Sequence, residues 1–314
     1  MAQEGVSRPE AKVSLQELST LDFGSLWKGR QRTTEVECGV LAHILEPADR
    51  RRILEVGTGE GRLTPLVVSL SGQYVGVDAV PGFLGSLRSK GQLRHEDALM
   101  MANAYRLPFL PGTFTALVCV RVFNFFERAD LALQEFWRAL APGGSLVLGV
   151  QVRPSLASVV DDIRDSLRGV RREPLTFSRA PVVPLPMTVI PTWQPLRSEL
   201  KRRLSEAGFT PAAEGHSGLE DYWPFNRLPA RFFVGLSKMS EGIPIFPTVF
   251  VRAVKEGSSP PELAPWEASL ACPRCRRALA SSKAAEFGKM TCGSCGYTVQ
   301  EIQGIPDARW GIDP

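Results

Sequence analysis

No run of apolar residues in this chain of 314 approaches the ~18 that a membrane-spanning helix needs, so none is expected. The first residues, Met1-Ala2-Gln3-Glu4-Gly5, are polar with no apolar stretch behind them, which speaks against a secretory leader. Charge of one sign is not concentrated: 37 Lys and Arg face 33 Asp and Glu, for a net charge of +4. The basic residues fall in small groups, at Arg50 to Arg52, Arg168 to Arg172, Lys201 to Arg203 and Arg274 to Arg277. These read first as solvated faces, not as the basic stripe of a dedicated nucleic-acid binder. Internal repeats are missing, and so is low-complexity sequence apart from a proline-rich stretch. The hydrophobic fraction of 44% excludes wholesale disorder, and the length suggests two domains or one large domain with an appendage. The expectation is a soluble, cytoplasmic protein that does not engage a membrane.

The periodicity then alternates. Glu35 to Leu45 has helical spacing, with Val40, Leu41, Ile44 and Leu45 on one face. Strands are expected at Arg52 to Val56, Gln73 to Val77, Ala98 to Ala102, Phe114 to Val120 and Ser145 to Val150. Helices are expected between them at Arg62 to Leu70, Pro81 to Ser89 and Asp130 to Leu140, with a turn at Pro142-Gly143-Gly144. This rhythm implies α/β architecture with a doubly wound, Rossmann-like parallel sheet. After Val152 it breaks. A helix near Leu156 to Val170 is expected to lead into an irregular lid, because the prolines from Pro174 to Pro195 deny a regular helix or central strand. Leu196 to Ala207 again looks helical and Thr248 to Val254 reads as a strand.

The most informative run of the first half is Ile53-Leu54-Glu55-Val56-Gly57-Thr58-Gly59-Glu60-Gly61-Arg62. An apolar strand enters alternating glycines and a helix leaves, and missing side chains let the backbone turn sharply and approach a ligand. The dinucleotide fingerprint needs a further glycine where Arg62 stands, so it does not fit well. A tight strand-to-helix connection with no ligand is the plain alternative. Asp78 ends the next strand, about twenty residues on. It can accept two ribose hydroxyls, or cap the helix that starts near Pro81.

Taken together, these residues resemble a class I S-adenosylmethionine-dependent methyltransferase of the type 11 group. The resemblance rests on Glu55-Val56-Gly57-Thr58-Gly59-Glu60-Gly61, Val77-Asp78, Leu107-Pro108-Phe109 followed by Phe114, and Ala139-Leu140-Ala141-Pro142-Gly143-Gly144, in this order and spacing. It covers residues 35–150 well and 151–255 poorly. It implies S-adenosylmethionine as cofactor, held by Glu55, Gly57, Thr58, Gly59, Gly61, Asp78, Ala79, Asn103, Ala104 and Arg121. Glu55 would orient the turn or approach the methionine amino group through water. Asp78 would take the ribose hydroxyls, and Ala79 or Val80 would lie against adenine. Asn103 stands where the family usually has Asp, and can accept from the adenine amino group through its carbonyl. Thr115 replaces a further usual Asp. Arg121 and Phe123 sit where the fourth strand meets the cofactor, with core packing the alternative for Phe123, Phe125 and Phe126. Trp27, Lys28 and Arg30 are candidates to fold over the cofactor.

Methyl transfer from a sulfonium asks mainly for positioning and a dry pocket, so spacing dictates no obligatory catalytic residue. If the acceptor carries a proton of high pKa, a general base is needed. Among His43, His95 and His216, the candidate is His216, near the end of the expected sixth strand. Trp193 and Tyr222-Trp223-Pro224-Phe225 are candidates for an acceptor pocket, with lid or core packing the alternative.

Four of the six cysteines form a C-x2-C-x16-C-x2-C pattern: Cys272, Cys275, Cys292 and Cys295. Two such knuckles give tetrahedral thiolate coordination of zinc, and no further nearby Cys or His indicates an open catalytic position. A structural zinc site is therefore expected, one that staples a module too small for its own core. Cys38 and Cys119 read as packed thiols. The flanks Leu270-Ala271-Cys272-Pro273, Gly296-Tyr297-Thr298-Val299 and Gly304-Ile305-Pro306-Asp307 resemble the zinc-ribbon proteins that activate tRNA, ribosomal RNA and release-factor methyltransferases. Those act as separate subunits that shield an apolar surface of the enzyme. The expected domains are a leader over 1–34, a methyltransferase domain over 35–255 with its acceptor lid and insertions at 151–247, a linker over 256–268 and a zinc ribbon over 269–314.

The resulting expectation is a methyltransferase with a built-in ribbon and a small-molecule acceptor. An RNA or protein acceptor docked through the ribbon is the alternative. No Asn-Pro-Pro-Tyr-type motif follows the fourth strand, where Arg121-Val122-Phe123-Asn124 stands, which favours the small molecule. A non-catalytic scaffold of the same fold is the third reading, against which the glycine turn and Asp78 argue. The sequence leaves the oligomeric state undetermined.

Overall fold

The computed structural model describes residues 27–155, 194–222, 224–239, 245–279 and 290–311, with isolated positions between 159 and 189. Of the helix expected at Leu156 to Val170 only Val159, Ile163 and Leu167 are described, each helical; most of the proline-rich stretch, Trp193, Trp223 and the Arg168 to Arg172 group lie outside the described residues.

The chain runs α1 (Gln31–Leu45), β1 (Arg52–Val56), α2 (Thr64–Leu70), β2 (Gln73–Asp78), α3 (Pro81–Ser89), β3 (Ala98–Met101), β4 (Phe114–Val120), α4 (Ala129–Ala139) and β5 (Leu140–Gln151). The short β6 (Pro184–Leu185) and β7 (Thr188–Val189) pair with each other. Then come α5 (Arg197–Glu206), β8 (Phe209–Ser217), α6 (Ala230–Met239), β9 (Thr248–Lys255), β10 (Met290–Thr291), β11 (Thr298–Ile302) and β12 (Ile305–Asp307). One sheet of ten strands carries the molecule, in the order β10-β11-β12-β3-β2-β1-β4-β5-β9-β8. Strands β3, β2, β1, β4 and β5 are parallel, while β9 lies antiparallel to both β5 and β8.

β1 is central because all its residues are buried, as an interior parallel strand demands. Its alternation serves two cores: Ile53 packs with α1 and α2 on one face, Leu54 and Val56 with α4 and α5 on the other. Helix α1 turns Val36, Val40, Leu41, Ile44 and Leu45 inward, and α4 does the same with Ala132, Leu133, Phe136 and Ala139. Two expected boundaries moved. Helix α2 starts at Thr64 with Pro65 in its first turn, because the preceding backbone is still turning at Gly61, φ +84°. Pro142-Gly143-Gly144 lies within a β5 that begins at Leu140, beside a register shift in β4 between Phe114 and Ala116.

The C-terminal four-cysteine module extends the main sheet. β12 lies parallel to β3 with Asp307 opposite Met101, and the Ala308 N–H donates to the Met101 carbonyl at 2.9 Å. An edge strand offers unpaired backbone groups, and here the chain's own C-terminal segment takes them. Leu270, Cys272, Leu279, Cys292, Val299 and Ala308 join the same apolar core as Leu107 and Phe109. Arg106 donates to the carbonyls of Pro273 and Arg274, and Arg276 pairs with the buried Glu135. The segment before the module is also anchored: Arg51 donates to the Pro260 and Pro261 carbonyls and Arg52 to that of Ala264.

A small cluster of Leu84, Met101 and Ile305 is buried between the module and the main sheet. Ile305→Ala is expected to cost about 2–4 kcal/mol. Urea unfolding should show one cooperative transition at lower midpoint; two separate transitions would mean that the module folds independently.

Candidate functional site

The candidate residues gather at the C-terminal ends of β1, β2, β3 and β4, where ligands bind in a cleft of open α/β sheets. Between β1 and α2 the backbone passes three times through the left-handed region, at Gly57 (φ +76°), Gly59 (+53°) and Gly61 (+84°). A Cβ at Gly57 would stand 2.3 Å from a methyl carbon of Val122, so this position is closed from below by the second residue after β4. A Cβ at Gly59 would meet nothing within 4 Å, so its face is open. The turn thus presents bare backbone to the cleft while its base is packed.

Asp78, at the end of β2, ties the turn in place. Its Oδ2 accepts the Gly59 N–H at 2.9 Å and its Oδ1 accepts the Val80 N–H at 2.9 Å. Burial raises its pKa, against the lowering effect of these N–H donors and that of Ala79. The carboxylate keeps acceptor capacity for a further donor. Glu55 lies beneath the turn: its Oε2 accepts from the Thr64 hydroxyl and the Tyr74 hydroxyl, both at 2.7 Å. Burial pushes the Glu55 carboxyl up to about 7 despite these bonds. Both partners come from elements flanking the turn, which gives Glu55 a grip on its geometry.

Asn103, after β3, is held at both ends. Its Oδ1 accepts the Tyr105 N–H at 2.9 Å and its Nδ2 donates to the Trp310 carbonyl at 3.0 Å. Arg121 stands in the left-handed region at φ +62°, rare for a side-chain-bearing residue and costly unless its surroundings hold it. They do: its Nε and Nη2 donate to Glu37 Oε1 at 2.9 and 2.6 Å. Arg62 donates to the other oxygen of Glu37 at 2.6 Å, and Ser217 donates to Oε1 at 3.2 Å. Burial raises the fully enclosed Glu37 carboxyl, but Arg121 and Arg62 outweigh it and hold the pKa below its ordinary value. Trp27 lies over Arg62, whose guanidinium carbon is 3.7 Å from the ring centroid. The sequence analysis missed Glu37, although a carboxylate between Val36 and Val40 on an apolar helix face is a legible signal.

His216 does fall near the end of β8, but it is fully buried and stacks on Phe246 with ring centroids 5.0 Å apart. Arg197 Nη1 lies 2.8 Å from its Nε2, so that nitrogen's lone pair is engaged by the guanidinium. Burial, then Arg197, pushes its pKa down to about 4. The expected general base is therefore a neutral ring in a packed interior. Nearby, Glu220 was not singled out by sequence: it is buried, its Oε2 accepts the Gly218 N–H at 2.7 Å, and burial pushes its carboxyl up to about 7. Phe123 is buried and makes edge contacts with Phe126, as packing would have it.

The four cysteines converge, with all four Sγ within 4.8 Å of one another. Cys272 Sγ lies 3.6 Å from Cys295 Sγ, and Cys275 Sγ 3.5 Å from Cys292 Sγ. A zinc ion with bonds of about 2.3 Å needs ligand spacings of about 3.8 Å, so the donor set fits it. The two halves match: the Arg276 N–H bonds the Cys272 carbonyl at 2.8 Å, and the Gly296 N–H that of Cys292 at 2.9 Å. Arg276 (φ 67°) and Gly296 (φ 71°) take the same left-handed turn.

With this geometry in hand, comparison with known proteins is informative. Residues 54–148 match the family model described as a methyltransferase domain. The chain is 34% identical over 131 residues to the demethylmenaquinone methyltransferase of Thermus thermophilus, covering 41% of this chain and 56% of that protein. It is 36% identical over 105 residues to that of Deinococcus radiodurans, covering 31% and 42%. The chain thus spans about half the length of the curated relatives it matches. Among solved structures, a SAM-dependent methyltransferase of Thermotoga maritima aligns with a TM-score of 0.51 at 17% identity, over 77% of this chain and 99% of that one. A chain from the complex between the Haloferax volcanii Trm112 methyltransferase activator and a methyltransferase aligns at 0.50 and 14%, over 76% and 97%. The mixed α/β sheet is accordingly the methyltransferase fold. Among the described residues, no helix is long and apolar enough to cross a membrane.

The Glu55 carboxyl gives a pH test. Its folded-state pKa of about 7 lies above the ordinary 4.5, so the unliganded protein should lose stability as pH rises between these values, by about 3 kcal/mol at most. Glu55→Gln keeps an acceptor for Thr64 and Tyr74 and removes the charge. Urea unfolding at pH 5 and pH 8 should show a smaller drop for this variant than for the wild type; an equal drop would assign the loss to other groups.

Proposed function

We propose that this protein is an S-adenosylmethionine-dependent methyltransferase acting on a small organic acceptor, with a structural zinc ion held by Cys272, Cys275, Cys292 and Cys295. The observation that carries the proposal is the left-handed glycine turn bound to the Asp78 carboxylate at the C-terminal ends of adjacent parallel strands. The methyltransferase-domain match over residues 54–148 supports it, and the two demethylmenaquinone methyltransferases support a small-molecule acceptor.

Bound S-adenosylmethionine supplies an activated sulfonium methyl group for in-line displacement. The protein contributes position and exclusion of water. Asp78 offers its remaining acceptor capacity to the ribose hydroxyls, and its bonds to Gly59 and Val80 mean that it is pre-oriented before the nucleoside arrives. Gly57, Thr58, Gly59 and Gly61 let the methionine and ribose approach the backbone. Ala79, Asn103 and Ala104 line the base side. Glu55 supports the turn from beneath, and Arg121 with Arg62 and Glu37 fixes the floor after β4. Proton removal is not assigned to His216, because its Nε2 is engaged by Arg197 and its pKa is about 4. The four thiolates would hold the zinc in a closed set of ligands, and the ion would brace a module whose own core is small.

Asp78→Ala should weaken S-adenosylhomocysteine binding at least tenfold by calorimetric titration; unchanged affinity would remove Asp78 from the ribose role. Purified protein should carry one equivalent of zinc by elemental analysis, lost in Cys272→Ser; a metal-free, folded wild type would refute the zinc assignment. The acceptor class is tested by incubating the protein with methyl-labelled cofactor and host extract and fractionating the label. Label in the small organic fraction is the expected result, and label in nuclease- or protease-sensitive polymer would replace it with a macromolecular acceptor.

A further inference from the structure

We infer that Arg309 and Trp310, the tail of the four-cysteine module, position the base-binding side of the cofactor cleft; this rests on the cofactor reading above. Two residues assigned to the base side stand on different connections, Ala79 after β2 and Asn103 after β3. Consecutive tail residues bind both. Arg309 Nη1 donates to the Ala79 carbonyl at 3.1 Å, and the Trp310 carbonyl accepts from Asn103 Nδ2 at 3.0 Å. The tail thereby bridges the two loops that a purine ring would lie between.

The tail is itself rigidly held. Asp307, in β12, grips the Arg309 guanidinium with both oxygens, at 2.8 and 2.6 Å, and accepts the Arg309 N–H at 3.1 Å. A two-toothed carboxylate grip fixes the orientation of a guanidinium as well as its position. Trp310 sets its ring edge-on to Tyr297 at 5.4 Å, and the Tyr297 hydroxyl donates to the Arg309 carbonyl at 3.4 Å. Tyr297 follows Cys295 by two residues. The sheet register and the cysteine knuckle thus both determine where Arg309 and Trp310 stand. Asn103 cannot swing, because its Oδ1 is taken by the Tyr105 N–H. Without the tail, the Ala79 and Asn103 loops would have to be ordered by the ligand, at a cost in affinity.

The experiment is calorimetric titration of the full-length protein with S-adenosylhomocysteine and with S-inosylhomocysteine, which differ only in the base. Arg309→Ala, with unchanged thermal midpoint, should bind S-adenosylhomocysteine about tenfold more weakly. Its preference for adenine over hypoxanthine should shrink, a change that a merely structural role would not produce. Arg309→Lys should recover part of both. Wild-type affinity and base preference in folded Arg309→Ala would overturn the inference. If Arg309→Ala does not fold, Arg309→Met, which keeps the aliphatic stem and removes the guanidinium that reaches the Ala79 carbonyl, should lose base preference; retained preference there overturns it equally. Wild-type protein that binds neither nucleoside would overturn the cofactor reading and this inference with it.

Discussion

The carboxylate of Asp78 is the constraint on which the cleft depends. By accepting from Gly59 and from Val80, it joins the turn after β1 to the turn after β2. The glycines make that join sterically attainable: a side chain at Gly57 would collide with Val122, and at all three positions the backbone is left-handed. The charge is partly buried, which on its own would be unfavourable, and the backbone N–H groups that compensate it are the same ones that shape the turn. Architecture and electrostatics are here a single arrangement.

A second buried carboxylate organises the neighbouring wall. Glu37 gathers Arg62 and Arg121 from two connections and Ser217 from the end of β8, and Arg121 adopts a costly backbone conformation to reach it. Arg62 then lies under Trp27. Two arginines share one carboxylate, and their charges offset the cost of burying it.

The C-terminal module changes what kind of molecule this is. β3 is the outermost of the parallel strands, and it would be an edge unless something covered it. In this chain β12 covers it, the module's apolar residues merge with the main core, and the module's tail reaches Ala79 and Asn103. The preceding segment, whose Gly, Ser and Pro content reads as a tether, is bonded along its length by Arg51 and Arg52.

Local chemistry determined much of this from sequence. The period of the apolar residues marked the alternating strands and helices, because burial on one face of a helix and both faces of a central strand leaves a regular imprint. Glycine spacing marked the turn, since no other residue adopts those angles without strain, and cysteine spacing marked the knuckles, since thiolates must converge on a point. Asp78 was legible because it ends a strand. Other features depended on partners distant in the chain. That Asn103 meets Trp310, that Arg121 and Arg62 share Glu37, and that His216 is spent on Arg197 and Phe246 follow only from strands packed side by side. Sequence determined which residues carry chemistry; the tertiary structure decided what each faces, because hydrogen bonds and ion pairs act over a few ångströms of space and are indifferent to distance along the chain.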